Sequence, residues 1–560
     1  MNVSRRFTRC VAVPTPASSG RRWVALALAA VLAGVSAGPA FAQGEPHDPS
    51  LPPVVGPELT AEDPPEAPIP KAECGPGSRP ETARQGQVPL ADHVSGRAPQ
   101  GYTCNTEMLG RFGTTGGYRV ERYVDGAGHE CAFYDTKLLF PANITAGTNL
   151  TGTFVLDMTN PSNPVKTANL LTPAMESPHE SLRLNTKRGL LVAVTANPVF
   201  YPGVIDIYDV TADCRNPALK ASLPVGLLGH ESGFAPDGNT FYTASLDGGT
   251  ITAVDVKNPM TPTPLWVGQY RSHGLSIRDD GRRAYVAARG GLIILDTSQI
   301  QDRVPNPTVT VVSQLAWPKI STPQNALPVT IGGRRFLIEI DEFAKGGNVG
   351  AARIIDIADE TKPKVISNMK LEVNMTENRA SQMADPGASS GLQGYAGHYC
   401  EVPQEIDPGI VACTFIVSGL RVFDIRDPYN PREIAYFNAP LKPSSTGGNG
   451  SNYAMAAPDF VPERGEIWYS DGNQGFFAVK LTNGVWPFAE GNAASFVDDT
   501  GNRVAGLSPE SEEIPATGGV PVLPLGVLFA MTLLAVLAVY PQRRARQLGP
   551  RTRASRTDRG

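Results

Sequence analysis

Between His273 and Val312 the chain alternates apolar and polar positions at the two-residue period of half-buried strands. The runs are Leu275 to Ile277, Ala284 to Ala288, Leu292 to Leu295 and Val309 to Val312. Turn chemistry separates them: Asp280-Gly281, Arg289-Gly290-Gly291, and Asp296-Thr297-Ser298 running on to Pro305-Asn306-Pro307. Four short antiparallel strands make a small sheet that cannot shield its own faces, so it needs neighbours of its own kind.

The pattern recurs. A histidine, or a residue in its place, leads the first strand of each copy at His129, His179, His230, His273, Gln324, His398 and Met455. The third strand ends in Asp at Asp157, Asp209, Asp255, Asp296, Asp356 and Asp424, where the carboxylate can bond back onto the following backbone and close the turn. The seventh copy stops after its third strand, Phe476 to Leu481, while Thr106 to Phe112 reads like the fourth strands of the other copies. The expected fold is all-β: a seven-bladed β-propeller over 103–485, with an N-terminal strand closing the last blade. The polar segment Glu372 to Ala396 reads as a surface insertion.

The ends read differently. Arg21-Arg22, an apolar run and the small-residue site Ala40-Phe41-Ala42 predict a signal peptide over 1–42. Residues 43–88, Pro-rich and acidic, read as a disordered arm. After a linker over 486–513, Ile514-Pro-Ala-Thr-Gly518 precedes an uncharged stretch, 520–540, long enough to cross a bilayer as a transmembrane helix. Seven Arg in the tail, 541–560, mark its cytoplasmic side and leave the body outside.

Composition sharpens this picture in two ways. The overall charge of -5 conceals basic ends around a strongly acidic body, which excludes nucleic acid as a partner. Export removes Cys10, and the six remaining cysteines favour disulfides. Cys400 and Cys413 flank the turn at Asp407-Pro408-Gly409, and the closing strand would bring Cys104 to Cys131; Cys74 and Cys214 stay unassigned.

The strand-three patterns Leu292 to Asp296, Leu420 to Asp424 and Val204 to Asp209 resemble the LVIVD repeat family. Asp280 to Val286 and Pro236 to Tyr242 are similar to YVTN-type propeller repeats. The resemblance implies a propeller on or outside the cell surface, without a single reaction. The C-terminal order of pentapeptide, apolar span and basic tail is similar to the sorting signal of Gram-positive surface proteins. It implies a sortase that cuts between Thr517 and Gly518 and joins Thr517 to peptidoglycan, with a plain membrane anchor as the alternative.

In a propeller the first strands surround the channel, so His129, His179, His230, His273 and His398 are expected near one mouth, with Glu180 and Glu231 beside them. Imidazole with carboxylate is a reasonable donor set for a divalent transition metal. A repeated structural role within each blade is the competing explanation. Phosphate-loop and His-Glu-x-x-His motifs are absent from the sequence. The reading from sequence therefore favours a surface-anchored binding module for an extracellular protein, glycan or wall polymer over an enzyme. The alternative is a metal-dependent oxidoreductase using the histidine ring, in which the architecture resembles selenium-binding proteins related to methanethiol oxidase.

Overall fold

A computed structural model describes residues 58–60, 64, 66–136, 152–245, 249–270, 272–288, 290–316, 321–344, 349–388, 394–441 and 452–488. The signal peptide, most of the linker, the Thr517-Gly518 motif, the apolar span and the basic tail lie outside them. No helix among the described residues is long and apolar enough to cross a membrane.

The described residues form seven sheets, antiparallel except where Glu58–Thr60 joins one in parallel. The first strands run Val120–Val124, Arg183–Asn185, Gly229–Phe234, Ser272–Ile277, Ser321–Ile331, Gly397–Glu401 and Asp459–Val461, defining blades one to seven. These strands touch one another around the axis, and the later strands of each sheet step outward. Apolar side chains interleave between blades, as where Tyr285 and Leu292 of blade four meet Ala326 and Leu337 of blade five. The predicted closure is present: Thr106–Phe112 pairs antiparallel with Gly475–Leu481, from Thr106 opposite Leu481 to Phe112 opposite Phe476. The Asp residues after each third strand act as expected. Asp157, Asp209, Asp255, Asp296, Asp356 and Asp424 each accept from the backbone N–H two residues on.

Three expectations are corrected. Blade one is shifted by a strand: His129 sits in the turn between its first and second strands, because Val120–Val124 carries only a weak apolar pattern while the wholly buried Glu130–Asp135 imitates a first strand. The disulfides are Cys74–Cys104, Cys131–Cys214 and Cys400–Cys413, so only the last matches. Cys104 lies in Tyr102–Cys104, on the outer edge of blade six, whereas Cys131 lies in the second strand of blade one and joins blade two. Three disulfides are the cysteine usage of an oxidising environment.

The third correction concerns the arm. Residues 66–88 are packed, not disordered. Arg421, fully buried, pairs with Glu81 and, at 3.0 Å, with Glu433; Gln85 adds a bond to Glu433 at 2.9 Å. Glu58–Thr60 pairs with the last strand of blade four, Ile69 N–H reaches the Lys370 carbonyl of blade five, and Tyr102–Cys104 extends blade six. The arm is thus a belt along the edges of blades four to six. It lacks a core of its own and is ordered by the surface it covers. The insertion is likewise half inside, with Val373 and Tyr395 buried; the Tyr395 hydroxyl accepts from Val88 N–H at 3.1 Å.

Candidate functional site

The axial mouth is built by local irregularity in the first strands. In blades three to six the pairing with the second strand slips at the histidine or its stand-in: between Gly229 and Ser232, Ser272 and Gly274, Pro323 and Asn325, and Gly397 and Tyr399. Such β-bulges set two residues against one and re-aim side chains, here His230, His273, Gln324 and His398. In blade two His179 adopts φ 53°, left-handed backbone that non-glycine residues avoid at a cost of order 1 kcal/mol.

The result is one cluster. The rings of His179 and His230 lie 4.5 Å apart, and those of His230 and His273 4.1 Å apart. Glu180 is at its centre, almost fully buried: its Oε2 is 3.3 Å from His230 Nε2 and its Oε1 3.4 Å from His398 Nε2. Gln324 Nε2 donates to Glu180 Oε2 at 2.6 Å and the Tyr399 hydroxyl at 3.0 Å. One donor atom from each of His179, Glu180 and His230 falls within 4.8 Å of the others. Blade one contributes Tyr118, stacked on His179 at 4.5 Å, in place of the expected histidine.

Beneath this layer Arg119 is buried, its Nη2 2.5 Å from Glu231 Oε1 and its guanidinium 4.4 Å over the Tyr399 ring. Glu231 also accepts from Asn325 Nδ2 at 2.9 Å. Gly274 is required here, because a Cβ on it would fall 1.3 Å from Glu231 Oε2. Glu231 therefore supports the site from below, paired with Arg119 rather than with a histidine.

Electrostatics follow from burial and charge. Burial and the neighbouring His230 push the His179 imidazole down to about 3. Burial opposes the charged form of His230 too, but the Glu180 carboxylate outweighs it and raises that imidazole. Burial disfavours charge on Glu180, yet the surrounding histidines, His230 first, hold its carboxyl well below the usual range. Glu231 is pushed up to about 7 by burial, against the pull of Arg119.

Of the residues predicted for the ring, His179, His230, His273, His398 and Glu180 are brought together. His129 is not. It lies on the opposite face, its Nδ1 2.9 Å from Asp125 and 3.7 Å from Asp213. Glu342 was missed: it comes from a second strand, Arg334–Ala344, and reaches His273 Nε2 at 3.1 Å. That hairpin has 11 residues in each strand, and its continuous apolar alternation was the available signal.

No family model matches the chain, and no curated protein matches it. Solved structures do. A periplasmic gluconolactonase of Pseudomonas aeruginosa is similar at 12% identity and TM-score 0.40, covering 59% of this chain and 92% of that one. A functionally unknown protein from Desulfotomaculum acetoxidans has 11% identity and TM-score 0.39, covering 60% and 88%. Hydrazine synthase of Kuenenia stuttgartiensis has 14% identity and TM-score 0.34, covering 54% and 80%.

Proposed function

We propose that the chain is an exported, surface-tethered propeller whose channel mouth binds a divalent transition metal through His179, Glu180 and His230, as the site of a metal-dependent enzyme. The observation that carries this reading is the convergence of those donors, at a cost in regular backbone: a bulge at His230 and left-handed φ at His179. Donor atoms on a metal with bonds of about 2.1 Å sit roughly 3.4 Å apart in tetrahedral geometry, close to the 3.3 Å between His230 and Glu180. Imidazole and carboxylate suit zinc, copper, iron or manganese, and the last three support oxidoreductase chemistry.

The tether follows the sorting-signal resemblance, with Thr517 as the residue joined to the wall, and the repeat resemblance to the LVIVD family fits a body facing outward. The second reading, a binding module for a protein or glycan, is favoured by the Arg119 to Glu231 pair, which shows that part of the axial charge is balanced by the protein itself.

Metal analysis of the purified exported chain tests the first reading. Stoichiometric metal that is lost on changing His179 and His230 to Ala is expected; metal-free protein with an intact fold leaves the binding-module reading. For the tether, Thr517→Ala should make the protein extractable by detergent, and an unaltered distribution removes the sortase.

A further inference from the structure

Resting on that metal reading, we propose that the same mouth holds a second divalent transition-metal ion, bound by His273, His398 and Glu342, so that the site is dinuclear. The argument begins at His398, which is fully buried on the bulge of blade six. Its Nδ1 lies 2.6 Å from the Met455 carbonyl oxygen. A carbonyl only accepts, so Nδ1 carries the proton, and Nε2 of the neutral ring presents a lone pair.

That Nε2 has no hydrogen-bond partner among the described residues. It faces Glu180 Oε1 at 3.4 Å and Glu342 Oε1 at 3.8 Å. A buried imidazole lone pair facing a buried carboxylate oxygen is unfavourable, and a cation between them removes the conflict. An imidazolium would do the same, at the expense of a charge in a ring with no exposure.

Glu342 supplies the other half of the geometry. One of its oxygens is 3.1 Å from His273 Nε2 and the other is the one facing His398. It lies between the two imidazoles as Glu180 lies between His179 and His230. The long hairpin of blade five carries it there, and the same extension has no counterpart among the described residues of the other blades.

The two donor sets adjoin where His398 Nε2 and Glu180 Oε1 lie 3.4 Å apart, so ions held by them would be neighbours, as in two-metal sites whose ions sit about 3.5 to 4 Å apart. Each centre has two imidazoles and one carboxylate, which leaves positions open on both ions. The ligand class that fits is an oxyanion able to bridge them.

The exported chain, stripped with a chelator, is titrated with Mn2+ alone, and bound metal is counted by equilibrium dialysis with electron paramagnetic resonance as the second readout. Two equivalents per chain with a spin-coupled signal are expected. The double variant His273→Ala, Glu342→Gln should bind one, uncoupled, with an unchanged circular dichroism spectrum. One equivalent in the unaltered protein overturns the second ion and leaves the first reading standing; none overturns both. Two equivalents that survive the double variant also overturn the proposal, since the second ion then lies elsewhere.

Discussion

Two places among the described residues bring histidine and carboxylate within reach of a metal, and they are built on opposite logic. At the rim, His129 meets Asp125 and Asp213. There Asp125 already accepts the backbone N–H groups of Ala127, His129 and Cys214, and Arg215 places a guanidinium 2.8 Å from Asp213. Asp125 is well supplied with donors and a fixed cation is present, so the cluster is a joint between blades one and two, reinforced by Cys131–Cys214. At the axis His179 Nδ1 and His398 Nε2 have no hydrogen-bond partner among the described residues, the backbone is bent to bring the imidazoles together, and two carboxylates face the His398 lone pair. The lesson is that donor spacing alone does not mark a metal site; unmet hydrogen-bonding demand does.

The contrast breaks first on metal content. His179→Ala with His230→Ala should weaken metal binding by roughly a hundredfold or more, beyond what outer-sphere partners are worth, whereas His129→Ala should leave dialysed metal content unchanged. Equal losses from both would erase the distinction.

Stability should respond the other way. Replacing Cys131 and Cys214 with Ser opens a loop spanning 83 residues and should cost about 4 kcal/mol in denaturant unfolding, with metal stoichiometry intact. A joint that serves only packing predicts that separation of effects.

Gly274→Ala comes next. The added methyl displaces Glu231 and breaks its pairing with Arg119, so metal affinity should fall by about 10 to 100-fold, read by competition with a chelating dye. Unaltered affinity would show that Glu231 does not support the axial layer.

The two regions also differ in pH dependence, with opposite sign. Burial alone would raise Asp125, but its N–H donors outweigh that and its carboxyl is lowered, so its stabilisation is complete above about 3.8 and is lost as pH falls through the lowered value. Asp135, buried beneath the axial turn where it accepts from Tyr118 and Arg119 N–H, is raised to about 8 by burial. Its contribution is complete below about 3.8 and is lost as pH rises toward 8. In thermal unfolding of metal-free protein, Asp125→Asn should flatten the acid limb and Asp135→Asn the limb between pH 5 and about 8.

Much of the architecture was legible because it repeats. Alternation at two residues, Asp after the third strand, and a missing fourth strand in the last copy gave the ring and its closure. Blade one misled because a strand buried on both faces, Glu130–Asp135, outshines the polar first strand before it, and that error carried His129 and Cys131 with it. Most of the axial site was legible from position within the repeat. Glu342 was not, since a second-strand residue reaches the mouth only through a hairpin longer than its siblings, and the arm was not, since its order is lent by blades four to six.

The closing strand sets a timetable. Thr106–Phe112 is made early, but its partner Gly475–Leu481 is made near the end of the body, which at ribosomal speeds of about 5 to 20 residues per second leaves it waiting for tens of seconds. Until then Thr106–Phe112 is a strand without its partner and the nascent disc is open to mispairing, so a chain held extended until export is finished escapes a hazard that a chain folding as it is synthesised must meet.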